Sequence, residues 1–483
     1  MKGSQRTILF LIADTGAGHR SAANALRNAV NIIAEEEQTR WLADQQTGAV
    51  SRSEPSTYRV EIVDVFEEYS RFPLREAVRL YGPTIRYNPN LYGHVFHASN
   101  RTRSVDAVKA IAAPLVRKGL LRLITSVKPD VIVSIHPMLN HLMVEAIRTL
   151  GLKIPALTVV TDLVSVHHSW YAPGVDACIV PTETARRLYV EQGLDPARVH
   201  VLGMPIDPKF TLPMPSKAEL QQQMGLDPKL PTVLLVGGGD GAGGLRAAVS
   251  AISQACLPVQ VMVVTGRNKR LFVQLQRLRA SLTIPVKVFG FVNNMPEMMH
   301  AADVLVTKAG PGTICEALAC NLPLILSSFV PGQEEGNVTF VTENKVGALA
   351  PNTTSMVNAL YRLITPGSDM LRKQLENAQR ISRPRASFDI INHILTYMPA
   401  PGQAGIWQDF SLPHSSRLLG RRRTPLIAPT SGAPIRSAAA TTSRHSRFWL
   451  RPTRTTGQLD KRAPSKPRVS LLRRARTDDK AQK

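Results

Sequence analysis

Two stretches of the chain repeat the same order of apolar and glycine-rich residues. Residues 7–13 form an unbroken apolar run, which predicts a buried strand, and a glycine-rich turn and an Ala- and Leu-rich helix at 20–30 follow it. Residues 232–236, 237–244 and 245–256 repeat this strand, loop and helix. The pattern predicts two doubly wound α/β domains in tandem.

Other apolar runs complete the two domains. They predict strands at residues 129–134, 156–160, 177–180, 260–264, 286–289, 304–307 and 324–326. Because helical stretches alternate with these runs, we expect parallel sheets with right-handed crossovers. Residues 35–57 are polar and lack periodicity, which predicts a loop.

The predicted fold class is therefore α/β, with two Rossmann-like domains that face a cleft. We expect the first domain at residues 1–205 and the second at 231–398, joined by a proline-rich linker at 206–230. Residues 399–483 are rich in Pro, Ser, Thr, Arg and Ala. We expect them to form a disordered tail, because they cannot bury enough apolar surface to offset their chain entropy.

Charge sets this tail apart from the body. The chain has 59 Lys and Arg against 36 Asp and Glu, a net charge of +23, and residues 401–483 hold 18 of these cations against 4 of the anions. Short apolar groups stand beside the arginines at 418–419, 448–450 and 471–472. This composition predicts an electrostatic tether to anionic membrane lipids, with a solvated extension without a role as the alternative. Nucleic acid is not an expected partner, because the tail contains no folded reading module.

Cysteine usage and hydropathy indicate the compartment. The four cysteines form no C-x-x-C pair, which argues against a zinc module and against dependence on disulfides. No apolar stretch reaches the ~18 to 20 residues that span a bilayer. We expect a cytoplasmic protein that associates peripherally with the inner face of the membrane.

The first chemical candidate is His19, at the end of the loop that follows the first strand. An imidazole at the carboxyl end of a strand, facing an interdomain crevice, is placed like a general base. The alternative is a histidine at a helix start that only bonds its own loop. The preceding Gly16 and Gly18 fit a binding loop or a structural turn equally well.

The second candidate is the stretch 308–316, KAGPGTICE, directly after a predicted strand. Gly310 and Gly312 allow a ligand to approach the backbone, and Thr313 can cap the helix or donate to a phosphate. Glu316 lies one turn further, where a carboxylate can accept from both hydroxyls of a ribose. The alternative for Glu316 is a favourable interaction with the helix dipole. The loop 331–337, PGQEEGN, offers the amides and carboxylates that a sugar needs, or is a solvated turn.

Many ordered motifs together resemble one enzyme family. DTGAGHRSAANAL, SIHPMLNH, VVTDLVSVHHSWY, GMPIDPKF, LVGGGDG, GFVNNMPEMM, TKAGPGTICEAL and PGQEEGNVTFVTENKVG are similar to the monogalactosyldiacylglycerol synthases and the processive diacylglycerol glucosyltransferases, over about residues 8–350. The resemblance implies a GT-B fold and an inverting transfer of galactose or glucose from UDP-galactose or UDP-glucose to diacylglycerol, with no cofactor and no metal in the site.

The resemblance also implies roles for particular residues. The family's loop histidine falls on His19, the base, with Gly16, Gly18, His136 and Trp170 on the acceptor side. The donor-binding stretch falls on Gly238, Gly239, Phe291, Val292, Gly310, Gly312, Thr313, Glu316, Gln333, Glu334 and Asn337. Asp162 either orients His19 or an acceptor hydroxyl, or forms a turn. His136, His167 and His168 lack the Cys or carboxylate spacing of a metal site.

Alternative functions share the twin-domain frame. A UDP-sugar transferase that acts on another lipid or a small hydrophobic acceptor differs only in its acceptor. A nucleotide-sugar epimerase would need a Tyr-x-x-x-Lys sequence, which has no matching place in the chain. A nucleic-acid-binding protein would bind through the basic tail.

Overall fold

The computed structural model describes residues 5–14, 17–47, 54–80, 93–94, 100, 102–164, 167–237, 244–400, 406–407 and 410, without the side chains of residues 17 and 102–109. The candidate glycines Gly16, Gly238 and Gly239 lie outside the described residues. Residues 411–483 of the predicted tail lie outside them as well.

Six parallel strands form the first sheet, in the order β2-β1-β3-β4-β5-β6. Its strands are β1 (Gln5–Ile12), β2 (Thr57–Asp64), β3 (Val131–Ser134), β4 (Ala156–Val159), β5 (Ala177–Val180) and β6 (Val199–Val201). Its helices are α1 (Ala17–Thr47), α2 (Val65–Tyr69), α3 (Leu74–Arg79), α4 (Thr102–Val127), α5 (Leu139–Leu150) and α6 (Glu183–Glu191). Apolar clusters cover both faces of the sheet, which explains why its central strands are unbroken apolar runs.

A second sheet of six parallel strands follows, in the order β12-β11-β10-β7-β8-β9. Its strands are β7 (Thr232–Val236), β8 (Gln260–Val264), β9 (Val286–Phe289), β10 (Val304–Lys308), β11 (Leu324–Ser328) and β12 (Gly347–Leu349). The helices from the connection onward are α7 (Lys217–Gln223), α8 (Leu245–Gln254), α9 (Lys269–Leu278), α10 (Met295–Ala301), α11 (Pro311–Ala319), α12 (Glu335–Glu343), α13 (Thr353–Ile364), α14 (Asp369–Ile381) and α15 (Ala386–Thr396).

The predicted strands are present in both sheets, and the loop predicted from residue 35 onward is wrong as far as Thr47. The helix α1 continues to Thr47, and its last dozen residues are mostly exposed. They lack an apolar period because most of them are exposed to solvent, while their Ala, Leu, Glu, Gln and Arg residues favour a helix. The edge strand β2 was not predicted, because its alternation of polar and apolar residues differs from the apolar runs of the central strands.

Each sheet has a point at which the strand order reverses. In the first sheet this point lies between β1 and β3, and in the second it lies between β7 and β10. The connections leave such a pair of strands towards opposite sides of the sheet, which opens a crevice at the carboxyl ends of the strands. His19 follows β1, and the stretch 308–316 begins at the end of β10. Both predicted sites therefore lie where the topology places a crevice.

The chain returns to the first sheet after completing the second. Helix α15 packs against α1, and Ile390, Ile391 and Ile394 belong to the core of the first domain. The returning segment crosses the outgoing one, where Ser387 donates its hydroxyl to the carbonyl of Ile206 over 2.6 Å. Gly203, with φ of 102°, is required at this crossing, because a Cβ there would lie 2.8 Å from the Cβ of Ala386.

Packing on the first domain continues beyond residue 398. Ile406 and Trp407 pack against the cluster that contains α4 and α5, and the indole of Trp407 donates to the carbonyl of Pro129 over 2.9 Å. Pro129 precedes β3, so this contact lies at the amino ends of the strands, opposite the predicted site. Within the described ranges, no helix is both long and apolar enough to cross a bilayer.

Candidate active site

The glycine loop that carries His19 is anchored at both ends. The guanidinium of Arg20, in the first turns of α1, pairs with the carboxylate of Asp14 at 2.7 Å. The backbone N–H of Asp14 donates to the carboxylate of Asp64, at the end of β2, over 2.8 Å. These contacts place His19 in the first turn of α1, at the carboxyl end of the sheet. A Cβ added at Gly18, the residue before His19, would meet no atom within 4 Å.

The ring of His19 is held by segments that follow two other strands. Its Nδ1 lies 3.2 Å from the hydroxyl of Thr161, after β4, and the ring hydrogen-bonds the backbone of Ile135, after β3. Burial lowers the pKa of His19 to about 4, an effect that the bond to Ile135 and the charge of Asp14 only partly oppose. The imidazole is therefore neutral at pH 7, which is the form that can accept a proton.

His136 lies directly beside His19. Their ring centroids are 4.7 Å apart in an edge-to-face arrangement, and His136 is 5% exposed. Its Nδ1 accepts the backbone N–H of Met138 over 3.3 Å. Burial, and next the charge of His19, hold the pKa of His136 well below its usual range. His136 is therefore uncharged at neutral pH and packs against the ring of His19.

Trp170 also lies near His19 and connects it to Asp162. The two rings lie 6.4 Å apart, and Trp170 is buried. Its indole N–H donates to the carboxylate of Asp162 over 2.7 Å, while its carbonyl accepts from the amide of Asn140 over 2.8 Å. Burial raises the pKa of Asp162 to about 6, against the opposing effect of the bond from Trp170. Asp162 therefore contacts Trp170, which in turn lies beside His19.

The first half of the site is built from three loops that are distant in sequence. The structure brings together His19, His136, Trp170 and, through Trp170, Asp162, which the sequence had predicted separately. Sequence reasoning missed Thr161, although it stands next to Asp162 in a stretch that the family resemblance covers. Its position after β4 was the available signal.

The second half of the site begins at the carboxyl end of β10. Gly310 is the N-cap of α11, with no capping side chain and no acidic residue in the first turn. A Cβ added at Gly312 would meet no atom within 4 Å, so this turn is open to a ligand. Thr313 lies in the first turn and is partly buried. Backbone N–H groups of a first turn have no partner within the helix and suit an anion.

The residues of the loop 331–337 lie against this turn. The buried carboxylate of Glu334 pairs with the ammonium of Lys308, and its Oε2 accepts the N–H of Val330 over 2.9 Å. The amide of Asn337 donates to the carbonyl of Ala309 over 2.9 Å. Gln333 is partly buried in the same loop. Lys308 precedes the predicted glycines but had no role in the sequence interpretation.

Glu316 lies at the meeting of the two domains. Helix α11 contacts α1, and the carboxylate of Asp207, in the connection between the sheets, accepts from the amide of Asn28 on α1 over 2.9 Å. Burial, and next the charge of Asp207, raise the pKa of Glu316 to about 7. The carboxylate of Glu316 therefore changes its charge close to neutral pH.

Phe291 and Val292 occupy the turn after β9. The ring of Phe291 is 60% exposed, and the guanidinium of Arg267 lies 5.3 Å from its centroid. Val292 packs against the core of the second domain. An exposed aromatic ring beside an arginine offers a flat surface for a heterocyclic base.

No cluster of three or more metal-binding side chains occurs among the residues described. Cys178, Cys256, Cys315 and Cys320 are free. Burial raises the pKa of Cys178, Cys315 and Cys320 to about 12, so these three thiols are unreactive at neutral pH.

Comparison with known sequences identifies similar proteins for both halves. The model of the family "Monogalactosyldiacylglycerol (MGDG) synthase" matches residues 19–206, and that of the "Glycosyltransferase family 28 C-terminal domain" matches residues 232–389. A protein of Nicotiana tabacum, described as a probable chloroplastic monogalactosyldiacylglycerol synthase, is 35% identical over 400 residues, which cover 80% of this chain and 70% of that protein.

Comparison with solved structures identifies the fold. MurG of Acinetobacter baumannii superposes with a TM-score of 0.52 at 14% identity, covering 81% of this chain and 99% of that one. The UDP-GlcNAc 2-epimerase of Neisseria meningitidis bound to UDP-GlcNAc has a TM-score of 0.50 at 14% identity, with 81% and 99% coverage. The predicted GT-B fold is confirmed. Because an epimerase shares the fold with this chain, whose second domain matches a glycosyltransferase family, the fold alone does not select the reaction.

Proposed function

The chain belongs to the monogalactosyldiacylglycerol synthase family and is a glycosyltransferase, and on this premise we propose that it transfers galactose or glucose from a UDP-sugar to diacylglycerol with inversion at the anomeric carbon. The observation that carries the proposal is the neutral, partly exposed imidazole of His19 at the carboxyl end of β1, held by Thr161 beside His136 and Trp170.

His19 is the general base of this proposal. The glycerol hydroxyl attacks the anomeric carbon and its proton passes to the imidazole. The bond from that carbon to the β-phosphate oxygen breaks, and its electron pair leaves with UDP. Thr161 and the backbone of Ile135 orient the ring, and His136 shields it. Asp162 acts indirectly, by fixing Trp170 against His19. Gly16, outside the described residues, and Gly18 complete the acceptor side.

The second domain holds the donor in this proposal. Phe291 and Val292 contact the uracil, and Glu316 accepts from the ribose hydroxyls. The open first turn at Gly310, Gly312 and Thr313 receives the diphosphate. The hexose contacts Gln333, Glu334 and Asn337. We also assign Gly238 and Gly239, which follow β7 in the sequence, to the donor, and both lie outside the described residues.

The lipid acceptor requires contact with a membrane surface. We assign this contact to the acceptor domain and to the basic tail, which interacts with anionic lipids at the inner face of the membrane. Each basic residue near such a surface contributes about 1 kcal/mol. Trp407 ties the start of the tail to the first domain, at the end opposite His19.

The decisive experiment incubates the purified protein with diacylglycerol vesicles and either UDP-galactose or UDP-glucose, followed by separation and identification of the lipid products. We expect a monohexosyl diacylglycerol with one donor in clear preference. If a glycosylated product forms only with a different lipid, the acceptor assignment changes and the donor assignment stands. Absence of any glycolipid with either donor, in a preparation that binds UDP, would overturn the proposal.

A further inference from the structure

The lysine of an ion pair at the carboxyl end of β10 has no part in the roles assigned so far. Lys308 is the last residue of β10, and its ammonium bonds the Oε1 of Glu334. The side chain of Glu334 is 6% exposed and that of Lys308 is 32% exposed. The carboxylate is therefore enclosed, while the ammonium keeps access to the cleft.

The protein holds Glu334 on both of its oxygens. While Oε1 bonds Lys308, Oε2 accepts the backbone N–H of Val330 over 2.9 Å. A buried carboxylate needs such partners, because an unpaired buried charge is strongly unfavourable. Two fixed contacts leave the carboxylate little freedom to turn. Glu334 thus fixes the position of the ammonium that it binds.

The ammonium is held beside the first turn of α11. The Nζ of Lys308 lies 3.4 Å from the position of a Cβ built on Gly310, the N-cap residue. One of its three N–H groups is used by Glu334, and two remain as donors. No acidic side chain in this turn competes for them. A cation with unused donors therefore stands where the donor-binding stretch of the family begins.

We propose that Lys308 binds the diphosphate of the UDP-sugar and stabilises the negative charge that develops on it as the bond to the hexose breaks. This inference rests on the proposed function. When that bond breaks, its electron pair passes to the β-phosphate oxygen, and the ammonium donates hydrogen bonds to the phosphate without giving up a proton. Glu334 is the positioning residue of this ammonium, in addition to its contact with the sugar.

The molecule contains a matched control at the other end of the same strand. Lys217 pairs with Asp303, which precedes β10, and the second oxygen of Asp303 accepts the N–H of Thr232 over 2.8 Å. This pair also joins a lysine to a carboxylate but lies at the amino end of β10. Lys217→Gln therefore removes a lysine–carboxylate pair far from the proposed diphosphate.

The experiment measures the affinities of the full-length protein for UDP, UMP and uridine by calorimetry, together with kcat for hexose transfer. We expect Lys308→Gln to lower the affinity for UDP by roughly tenfold to a hundredfold and to leave the affinity for uridine within about threefold of the wild-type value. The loss of affinity for UMP should lie between these two. The kcat should fall by about 10² or more. Lys308→Arg should recover most of the UDP affinity, and Lys217→Gln should change neither quantity.

Parallel losses for UDP, UMP and uridine would overturn the inference, because they would show a general distortion of the site. Unchanged UDP affinity and kcat in Lys308→Gln would overturn it as well. Uridine binding reports directly whether the variant is folded. If the wild type forms no glycolipid but its UDP affinity depends on Lys308 as described, the acceptor proposal fails and the diphosphate contact stands.

Discussion

Replacement of His19 by alanine tests the mechanism most directly. The change removes the imidazole from the acceptor half of the site, while the residues assigned to the nucleotide belong to the second sheet. We therefore expect turnover to collapse and UDP affinity to remain within about threefold of the wild-type value. The two quantities separate because the base contacts the acceptor and the donor binds elsewhere.

The size of the effect follows from the contacts of His19. General-base catalysis contributes about 10² to 10⁴ in rate, or roughly 3 to 5 kcal/mol of transition-state stabilisation. The bond between Thr161 and Nδ1 only orients the ring, so Thr161→Val should lose the value of one neutral hydrogen bond, about 0.5 to 1.5 kcal/mol. This corresponds to roughly twofold to tenfold in kcat/KM.

The assay measures kcat/KM for diacylglycerol between about pH 3.5 and 9, with UDP affinity determined in parallel. The donor is kept saturating, so that the titration of Glu316 near pH 7 does not enter the profile. Because the pKa of His19 is lowered to about 4, kcat/KM for diacylglycerol should stay high at pH 6 and fall only towards pH 4. His19→Ala activity within threefold of wild type would remove His19 from the mechanism. Loss of UDP binding in the same variant would indicate a phosphate contact instead, and an acid limb near the ordinary value of ~6.5 would contradict the burial argument.

Three further perturbations test other parts of the structure. Because only the ionised form of Glu316 can accept from both ribose hydroxyls, UDP affinity should rise with pH through about 7. Glu316→Gln should lower UDP affinity by roughly tenfold to a hundredfold and abolish this rise. A UDP affinity of the wild type that does not depend on pH would refute the ribose contact. Trp407→Ala should lower the free energy of unfolding of the first domain in urea by about 2 to 3 kcal/mol. Trp407→Phe should lower it by about 1 kcal/mol, because this variant loses only the bond to Pro129. Equal stability of the wild type and both variants would show that the contact contributes nothing. Truncation after Phe410, which keeps Trp407 in place, should preserve UDP binding and reduce sedimentation with anionic vesicles; undiminished binding at ~0.15 M salt would exclude the tail as a tether.

The sequence alone was sufficient for the architecture. Central strands of a parallel sheet are covered on both faces, so each appears as a continuous apolar run, and the runs at 177–180, 232–236 and 260–264 coincide with β5, β7 and β8. The repeated strand, glycine loop and helix indicated two domains. The order of motifs then identified the family, and with it the residues to examine.

The exposed end of α1 and the edge of the sheet were not readable in this way. The last dozen residues of α1 are mostly exposed and helical through the propensity of their residues, and the edge strand β2 has a different pattern from its neighbours. An apolar period in the sequence indicates which face of a segment is buried. It does not predict the secondary structure of a segment that is mostly exposed.

The tertiary structure decided which distant residues meet. His19, Thr161 and Trp170 come together because the strands before them end at the same edge of one sheet, and Lys308 meets Glu334 because β10 and β11 are neighbours in the other. The lowered pKa of His19 and the raised pKa of Glu316 arise from this burial. The sequence identifies which residues carry these ionisable groups. Their burial, and with it their protonation state at neutral pH, is set only when the strands have paired.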